Sequence, residues 1–210
     1  MKKDYVRKYP FAENKSFVLY WGYNEDDFKD VKEKQSERSE IETITHAGNI
    51  FDYQDIPAFW TRVKKEIDDG IKLRLKFIGS VSPGVKRSIE NAGLSDYTTY
   101  TGLLPYKKML EELMNTAYLL VCSTEPRHVP GKLFEYLRTG KPIIAFGDDN
   151  EEVKKILKET NAGMMFRYGE DGEGFFRNIN QLKTNLAKVK PFDRKNITYE
   201  ASKILDLISR

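Results

Sequence analysis

Short apolar runs alternate with amphipathic segments along most of this chain. The runs are bounded by glycine or small polar residues, which predicts β-strands at Phe17–Trp21, Ile41–Ala47, Leu73–Ile78, Thr98–Thr101, Tyr118–Cys122, Pro142–Phe146 and Gly163–Phe166. Between them, helical spacing predicts helices at Ile56–Asp69, Pro83–Asn91, Pro105–Asn115, Gly131–Thr139 and Asn150–Thr160. Strand and helix alternate five times, so we expect a Rossmann-like α/β fold, with a parallel sheet and helices on both faces. Ligands in such sheets bind at the carboxyl ends of the strands.

The two ends of the chain differ from its middle. Residues 1–16 have no usable period and are predicted to be an interdomain linker or the tail of a preceding domain. The polar segment Asn24–Glu40 predicts a solvated loop or an exposed helix. Residues 175–189 and 199–208 have helical spacing, with Pro191 between them. We therefore expect one domain over residues 17–190, followed by a carboxyl-terminal helix in residues 191–210.

Composition excludes several classes of protein. Hydrophobic residues make up 40% of the chain and charged residues 32%, and the apolar runs are too short to span a bilayer. The basic amino terminus is not followed by an apolar stretch, so we expect no signal peptide and a cytoplasmic location. The net charge of +3 comes from 35 basic and 32 acidic residues along the whole chain, which argues against nucleic acid binding. The single cysteine, Cys122, lies in an apolar run and is predicted to be a buried, inert thiol.

Residues Val129–Ile144 carry the strongest chemical signal. They read VPGKLFEYLRTGKPII, a Pro-Gly loop followed by a short amphipathic helix with Glu135 one turn in. The first N–H groups of a helix have no partner inside the helix, and the helix dipole makes that end positive. Gly131 lets the backbone come close to a ligand, so we expect an anion, most plausibly a phosphate, to bind there.

Five segments in order resemble motifs of one enzyme family. Residues 21–28, WGYNEDDF, resemble its "pNG-x-D-x-x-x-F" entry, and residues 47–50 its first glycine turn. Residues 77–79 resemble its next strand end, 101–106 its "G-x-v-p" turn, and 132–142 its most diagnostic segment. The chain is similar to the carboxyl-terminal, donor-binding domain of retaining two-Rossmann-domain (GT-B) glycosyltransferases, called group 1 or family 4.

The resemblance implies a role for each matching residue. Glu135 would accept hydrogen bonds from the ribose hydroxyls of a nucleotide-diphosphate sugar. The amides of Val129, Gly131 and Lys132 would face the diphosphate or the sugar, and the Lys132 side chain would add a cation. The donor would also contact the turn at Gly48 and Asn49. Two further turns, one at Gly79 and one at Gly102, Leu103 and Leu104, would flank the base.

The sequence departs from the family pattern at two places. The first of two glutamates common in the family would fall at Arg127, and Glu125 is out of register by two residues. Either Glu125 reaches the sugar or Arg127 forms part of a diphosphate clamp. Asn49 and Gln54 stand where the family usually has basic residues.

Plainer interpretations stay open for several of these residues. Glu135 lies three residues from both Lys132 and Arg138 and is also typical of a surface glutamate in helical ion pairs. His46 is expected to be a hydrogen-bonded strand histidine, and His128 is a weak candidate for sugar or phosphate contact. Trp21 and Trp60 are expected to serve in packing rather than in stacking on a ligand. No cluster of acidic residues or histidines suggests a metal, and no cofactor is expected beyond the donor substrate.

The function implied by the resemblance is transfer of a glycosyl group to an acceptor hydroxyl with retention of configuration. In that architecture the acceptor binds to an amino-terminal domain, which we expect to be missing here and to pack against the carboxyl-terminal helix. The chain alone is then expected to be inactive, and any contact with the inner face of the membrane would be made through the missing half. Surface polysaccharide or glycolipid synthesis is the usual setting of the family. The alternative is a non-catalytic nucleotide-binding or interaction module; an epimerase has the same architecture, but we find no acid and base residues for it.

Overall fold

Six parallel strands form the centre of the protein, as the alternating pattern predicts. The computed structural model describes residues 2–31 and 41–208. The strands are β1 (Glu42–Ala47), β2 (Leu73–Ile78), β3 (Thr98–Gly102), β4 (Tyr118–Cys122), β5 (Ile143–Phe146) and β6 (Gly163–Phe166). Their order in the sheet is β3-β2-β1-β4-β5-β6, which is the Rossmann order. The predicted fold class is confirmed.

The helices in the described chain cross over between successive strands and cover both faces of the sheet. Helix α1 (Lys2–Lys8) precedes the sheet, and the crossovers are α2 (Pro57–Asp68), α3 (Pro83–Asn91), α4 (Tyr106–Met114), α5 (Lys132–Thr139) and α6 (Glu151–Glu159). After β6 come α7 (Glu173–Asn178), α8 (Leu186–Val189) and α9 (Arg194–Ile208). Alternate side chains of the buried strands enter two apolar clusters, one on each face, which contain Leu119 and Leu120 respectively. Helix α5 packs in the first cluster through Leu133, Phe134, Tyr136 and Leu137.

The sheet opens between β1 and β4, where the order of the strands reverses. These strands pair only at Ile44–Tyr118 and Thr45–Leu119, although both continue further. Beyond Thr45 and Leu119, side chains rather than the facing strand make hydrogen bonds to the backbone of β1 and β4. The Ala47 N–H donates to the Tyr136 hydroxyl on α5 at 2.7 Å, and the Leu120 carbonyl contacts Nδ1 of His46 at 3.0 Å. Because ligands of doubly wound sheets bind where the strand order reverses, this opening defines the place to search for a site.

Two predictions about local structure are wrong. Phe17–Trp21 is not a strand: no neighbouring strand pairs with it, and Phe17, Val18 and Leu19 are about half exposed. The expected helix over residues 175–189 is divided into α7, a 3-10 turn at Ile179–Gln181, and α8. Helix α1 and a 3-10 helix at Pro10–Lys15 lie in the segment expected to be a linker or the tail of a preceding domain, and that role stays a prediction.

The remaining local predictions have mixed outcomes. The helix predicted near residue 199 begins earlier, at Arg194. In the polar segment, residues 25–28 form a 3-10 turn that buries Phe28, whereas residues 32–40 lie outside the described chain. Cys122 is buried, as predicted, and burial raises the pKa of its thiol to about 12. Trp60 is fully buried, whereas Trp21 is 72% exposed. The proposed division at residues 16 and 190 stays a prediction.

Candidate functional site

Three glycines form the corners at the carboxyl ends of β1, β2 and β3. Gly48, Gly79 and Gly102 have φ angles of +106°, +118° and +68°, which residues with a side chain rarely adopt. The Gly79 N–H donates to the Gly102 carbonyl at 2.8 Å, and the Gly48 N–H donates to the Ile78 carbonyl at 2.7 Å. A Cβ on Gly79 would lie 2.6 Å from the Gly48 carbonyl oxygen. The absence of side chains therefore brings the backbones of adjacent turns together and leaves a smooth floor.

The amino end of α5 faces this floor with unused donors. Helix α5 begins after Gly131, and the amides of Leu133 and Phe134 bond back to the Pro130 and Gly131 carbonyls at 3.0 and 3.1 Å. Within the described residues, the N–H groups of Val129, Gly131 and Lys132 donate to no protein acceptor. These are the three amides that the sequence singled out, and they are free to bind a ligand.

Lys132 places its ammonium directly over the first glycine corner. A Cβ on Gly48 would lie 2.7 Å from Lys132 Nζ. The ammonium is 3.4 Å from Nε2 of His46, and no carboxylate of residues 2–31 or 41–206 lies within 4.0 Å of it. Burial lowers the pKa of this amine. A half-buried cation that has no counter-ion among the described residues, next to free amides, makes this end of α5 electropositive.

Glu135 lies on the same side of α5 and is held by a tyrosine. The hydroxyl of Tyr106, at the start of α4, donates to Glu135 Oε1 at 2.7 Å. It also lies 3.4 Å from a carboxylate oxygen of Asp27. Burial raises the pKa of Glu135, whereas the Tyr106 hydrogen bond and the charge of Arg194 act in the opposite direction. Oε1 is thus engaged, and Oε2 has no hydrogen bond to a described residue.

The ion-pair interpretation of Glu135 does not match these contacts. Arg138 makes a two-fold contact with Glu25, with both N–O distances at 2.5 Å. Lys132 turns toward His46 and Gly48 instead. Glu135 therefore has a phenol as its partner and faces the group that includes Tyr106, Asp27 and Arg194.

A shallow pocket adjoins the glycine corners of β2 and β3. It is lined by Gly79, Ser80, Val81, Lys86, Tyr100, Gly102 and Leu103. The Tyr100 ring stacks on Phe77 with centroids 5.5 Å apart, and the Lys86 ammonium lies 4.9 Å from the Tyr100 centroid. Leu103 is 85% exposed at its rim, whereas Leu104 packs against the core. The structure thus brings together most of the residues that the sequence assigned to the two base-flanking turns.

The loop between β4 and α5 is braced by Asn150, which the sequence analysis did not identify. Its side-chain amide donates to the carbonyls of Glu125 and His128, both at 2.9 Å, and to the Ser123 hydroxyl at 3.0 Å. Its Oδ1 accepts from the Val153 N–H at 3.1 Å and caps α6. In the sequence, this role is indicated only by the position of Asn150 at the start of a predicted helix, where Asn is a favoured cap.

The polar side chains proposed as ligand contacts in this loop are exposed to solvent. Arg127, Glu125 and His128 are exposed, and the Arg127 Nε lies 3.8 Å from Asp4 on α1. Asn49 is exposed and accepts a hydrogen bond from the Ser80 N–H at 3.3 Å. The roles assigned to these residues stay predictions.

Four other residues near the site make contacts that the sequence did not predict. Gln54 is buried and donates to the Cys122 carbonyl at 3.1 Å, so it stabilises the turn rather than facing a ligand. Trp21 lies over the start of α5, 3.3 Å from where a Cβ on Gly131 would be, and the Arg194 guanidinium is 5.6 Å from its ring centroid. Tyr106 ends the segment that resembles the "G-x-v-p" turn and Arg194 lies in no motif, and only the fold brings either of them to Glu135.

The described residues contain neither a cluster of metal ligands nor a membrane-spanning helix. In residues 2–31 and 41–206, no three His, Cys, Asp or Glu side chains lie close enough together to hold a metal ion. No helix in the described chain is both long and apolar enough to cross a bilayer.

The sheet order, the glycine corners and the electropositive helix end define a Rossmann-like α/β domain with a crevice at its switch point. The family model described as "Glycosyl transferases group 1" matches residues 42–185, more than half of the chain. The chain therefore belongs to the group 1 glycosyltransferases. A search of curated proteins finds no match.

Solved structures with this fold include glycosyltransferases at low sequence identity. Anabaena HepE, solved in complex with UDP, has a TM-score of 0.69 and 13% identity; the match covers 92% of this chain and 58% of HepE. The lipopolysaccharide outer core galactosyltransferase WaaB has a TM-score of 0.68 and 16% identity, with 97% and 58% covered. This chain therefore spans a little over half the length of each.

A third similar structure is a domain by itself. The carboxyl-terminal domain of LpcC, a group 1 family protein from Francisella tularensis, has a TM-score of 0.56 and 14% identity. The match covers 90% of this chain and 97% of that domain. At these identities the likeness concerns the fold alone.

Proposed function

We propose that this chain is the nucleotide-sugar binding half of a retaining glycosyltransferase. The observation that carries the proposal is the unneutralised Lys132 ammonium, which lies over the Gly48 turn beside three free amides. This group of donors suits a diphosphate, which offers several anionic oxygens within a short span. UDP bound to HepE, a protein of the same fold, supports the choice of ligand class.

The second half of the proposal concerns the nucleoside. Glu135 Oε2 is the free carboxylate oxygen for a ribose hydroxyl, and the pocket beside Tyr100 and Leu103 accommodates the base. Since Lys132 and Glu135 are three residues apart on one helix, they lie on the same side, as a ribose and its diphosphate require. The base and the sugar are left open.

The chemistry follows from where charge develops. When the bond between sugar and diphosphate breaks, negative charge grows on the leaving diphosphate. Free amides of the 129–132 loop, the positive end of α5 and the Lys132 ammonium stabilise that charge without rearranging, which lowers the barrier. The acceptor and any base that deprotonates it would belong to an amino-terminal domain, so this chain alone is proposed to bind donor without turnover.

Calorimetric titration with UDP, GDP and ADP, and with their glucose conjugates, tests the proposal. We expect one nucleotide class to bind in the micromolar to low-millimolar range. Glu135→Gln should weaken both the diphosphate and its nucleoside by about 10- to 150-fold, since a hydrogen bond to a charged group contributes about 1.5–3 kcal/mol. Glu159→Gln, on the exposed end of α6, is the matched control and should change nothing.

Binding of none of these nucleotides would contradict the proposal and favour the interaction module. That alternative is supported by Asn49 and Gln54, which stand where basic residues are usual in the family. Transfer of sugar by these 210 residues alone would refute the two-half mechanism.

A further inference from the structure

His46 lies directly beneath the Lys132 ammonium, in the opening between β1 and β4. Its side chain is 1% exposed. Nδ1 lies 3.0 Å from the Leu120 carbonyl oxygen, and Nε2 lies 3.4 Å from both the Asn49 carbonyl oxygen and Lys132 Nζ. Both nitrogens therefore face polar groups, but only one of them has a short contact.

The contacts select one tautomer. Burial and the neighbouring lysine lower the pKa of His46 to about 3, so its ring is neutral and carries one N–H. An ammonium can only donate, so its contact with Nε2 requires a lone pair on that nitrogen. The N–H is then on Nδ1, where the Leu120 carbonyl accepts it at 3.0 Å.

The Leu120 carbonyl is available because β1 and β4 stop pairing one residue earlier. Its role as acceptor fixes the plane of the ring, in the way that a backbone carbonyl fixes a histidine at many functional sites. Phe77, the partner of His46 on the adjacent strand β2, has its ring centroid 6.2 Å from that of His46. The direction of the Nε2 lone pair is therefore determined by backbone and core, not by the ligand.

Lysine is the kind of side chain that gains from such a contact. Its long side chain has many rotamers, and it has no planar head group to orient it. Within the described residues, His46 Nε2 is the one hydrogen-bond acceptor on Lys132, so the ammonium keeps further N–H donors for an anion. A carboxylate in place of His46 would neutralise the Lys132 ammonium, and an apolar ring would offer it no hydrogen-bond acceptor.

We propose that His46 is a positioning residue, which holds the Lys132 ammonium over the Gly48 turn so that it meets an incoming diphosphate already in place. The inference rests on the proposed function. It adds a residue that touches no ligand and acts through Lys132, and it explains why a polar side chain is buried at this point of β1.

The test compares His46→Phe, His46→Gln and Thr45→Val in the full chain. Thr45 is the control because it is buried next to His46 on β1 and bonds to the Thr116 hydroxyl at 2.7 Å, away from Lys132. Each variant is titrated with the tightest binder among UDP, GDP and ADP, and with its nucleoside. Folding is checked by thermal melting, and the ring tautomer by long-range ¹H–¹⁵N spectra.

We expect His46→Phe to weaken the diphosphate by about 3- to 10-fold and leave the nucleoside unchanged, because one net hydrogen bond is lost. His46→Gln, which offers an oxygen near the Nε2 position, should recover most of that loss. With Lys132→Met already present, His46→Phe should have no further effect on diphosphate binding. The spectra should show Nδ1 protonated and Nε2 bare at neutral pH.

Equal losses for diphosphate and nucleoside, or an Nε2–H tautomer, would overturn the inference while leaving the proposed function intact. If His46→Phe does not fold, the tautomer in the wild-type chain and the binding by His46→Gln decide the question. No binding by the wild-type chain to any of the three nucleotides would overturn both proposals.

Discussion

Replacing Lys132 with methionine should stabilise the free protein and weaken its binding of nucleoside diphosphate. The ammonium is half-buried, has a neutral imidazole as its acceptor, and has no carboxylate of the described residues within 4.0 Å. Methionine has a similar length and no charge, so the substitution removes an unfavourable burial without creating a large cavity.

The sign follows from the pKa of the lysine. Burial lowers it below the ordinary value of 10.5, so the unfolded chain holds this proton more tightly than the folded chain does. At pH 7 the protonated lysine therefore costs stability, and that cost fades as the pH rises through the folded pKa. We expect Lys132→Met to gain about 0.5–1 kcal/mol, or 1–4 °C in Tm for a chain of this size.

Binding should change in the opposite direction. A hydrogen bond between charged groups contributes about 1.5–3 kcal/mol, so the diphosphate should bind about 10- to 150-fold more weakly. The nucleoside, which lacks the phosphates, should bind as before. Calorimetry and thermal melting measure both quantities, with Lys155→Met as the control: its side chain is 61% exposed and lies on α6.

Loss of stability in Lys132→Met would show that the ammonium is a structural group. Unchanged binding of diphosphate would show that the anion lies elsewhere. Either result would refute the reasoning, whereas the control should move neither quantity.

Three further predictions follow from particular contacts. Gly79→Ala should lower the free energy of unfolding in urea by at least about 1–3 kcal/mol, because φ is +118° and the new Cβ meets a backbone oxygen at 2.6 Å; Gly169→Ala, which has open space, should not. Asn150→Ala should lower Tm and speed tryptic cleavage in the 123–130 loop, since it removes a helix cap and the bonds that brace the loop; an unchanged cleavage rate would count against that bracing. As the pH is raised, the affinity for the diphosphate should begin to fall below pH 10.5, the ordinary pKa of a lysine, because burial lowers the pKa of Lys132. Lys132→Arg should retain its affinity to higher pH, since the guanidinium stays protonated. The same fall with pH in the wild-type chain and in Lys132→Arg would contradict the assignment.

The sequence predicted the sheet because its strands are either apolar throughout, as in Tyr118–Cys122, or apolar at alternate positions, as in Leu73–Ile78. Tyr118–Cys122 and Leu73–Ile78 have the bounds that the pattern predicts. Phe17–Trp21 is also an apolar run, but it pairs with no strand of the described chain, and strand pairing cannot be predicted from an apolar run alone. The prediction of one helix over residues 175–189 is wrong for a related reason. The helical spacing of apolar residues continues through Ile179–Gln181, where the backbone forms a 3-10 turn and the helix is interrupted.

The candidate site was predictable where a motif is local. Glycine corners and the Pro-Gly loop before α5 are visible in a few residues, and the structure places them at one edge. Tyr106, Arg194 and His46 are separated from Glu135 or Lys132 by 29 or more positions, and only the fold joins them. Arg127 has its Nε 3.8 Å from Asp4, and its part in a diphosphate clamp stays a prediction.

The central claim is that a nucleoside diphosphate binds at the carboxyl edge of the sheet, between the glycine corners and the start of α5. Titration of the ¹⁵N-labelled chain with UDP, GDP and ADP, followed by amide spectra, tests this most directly. We predict that the amides of Gly48, Gly79, Gly131 and Lys132 shift with the nucleotide that binds. Shifts confined to the groove at the opposite edge, beside Glu42 and Glu173, or no shifts at millimolar nucleotide, would contradict the account.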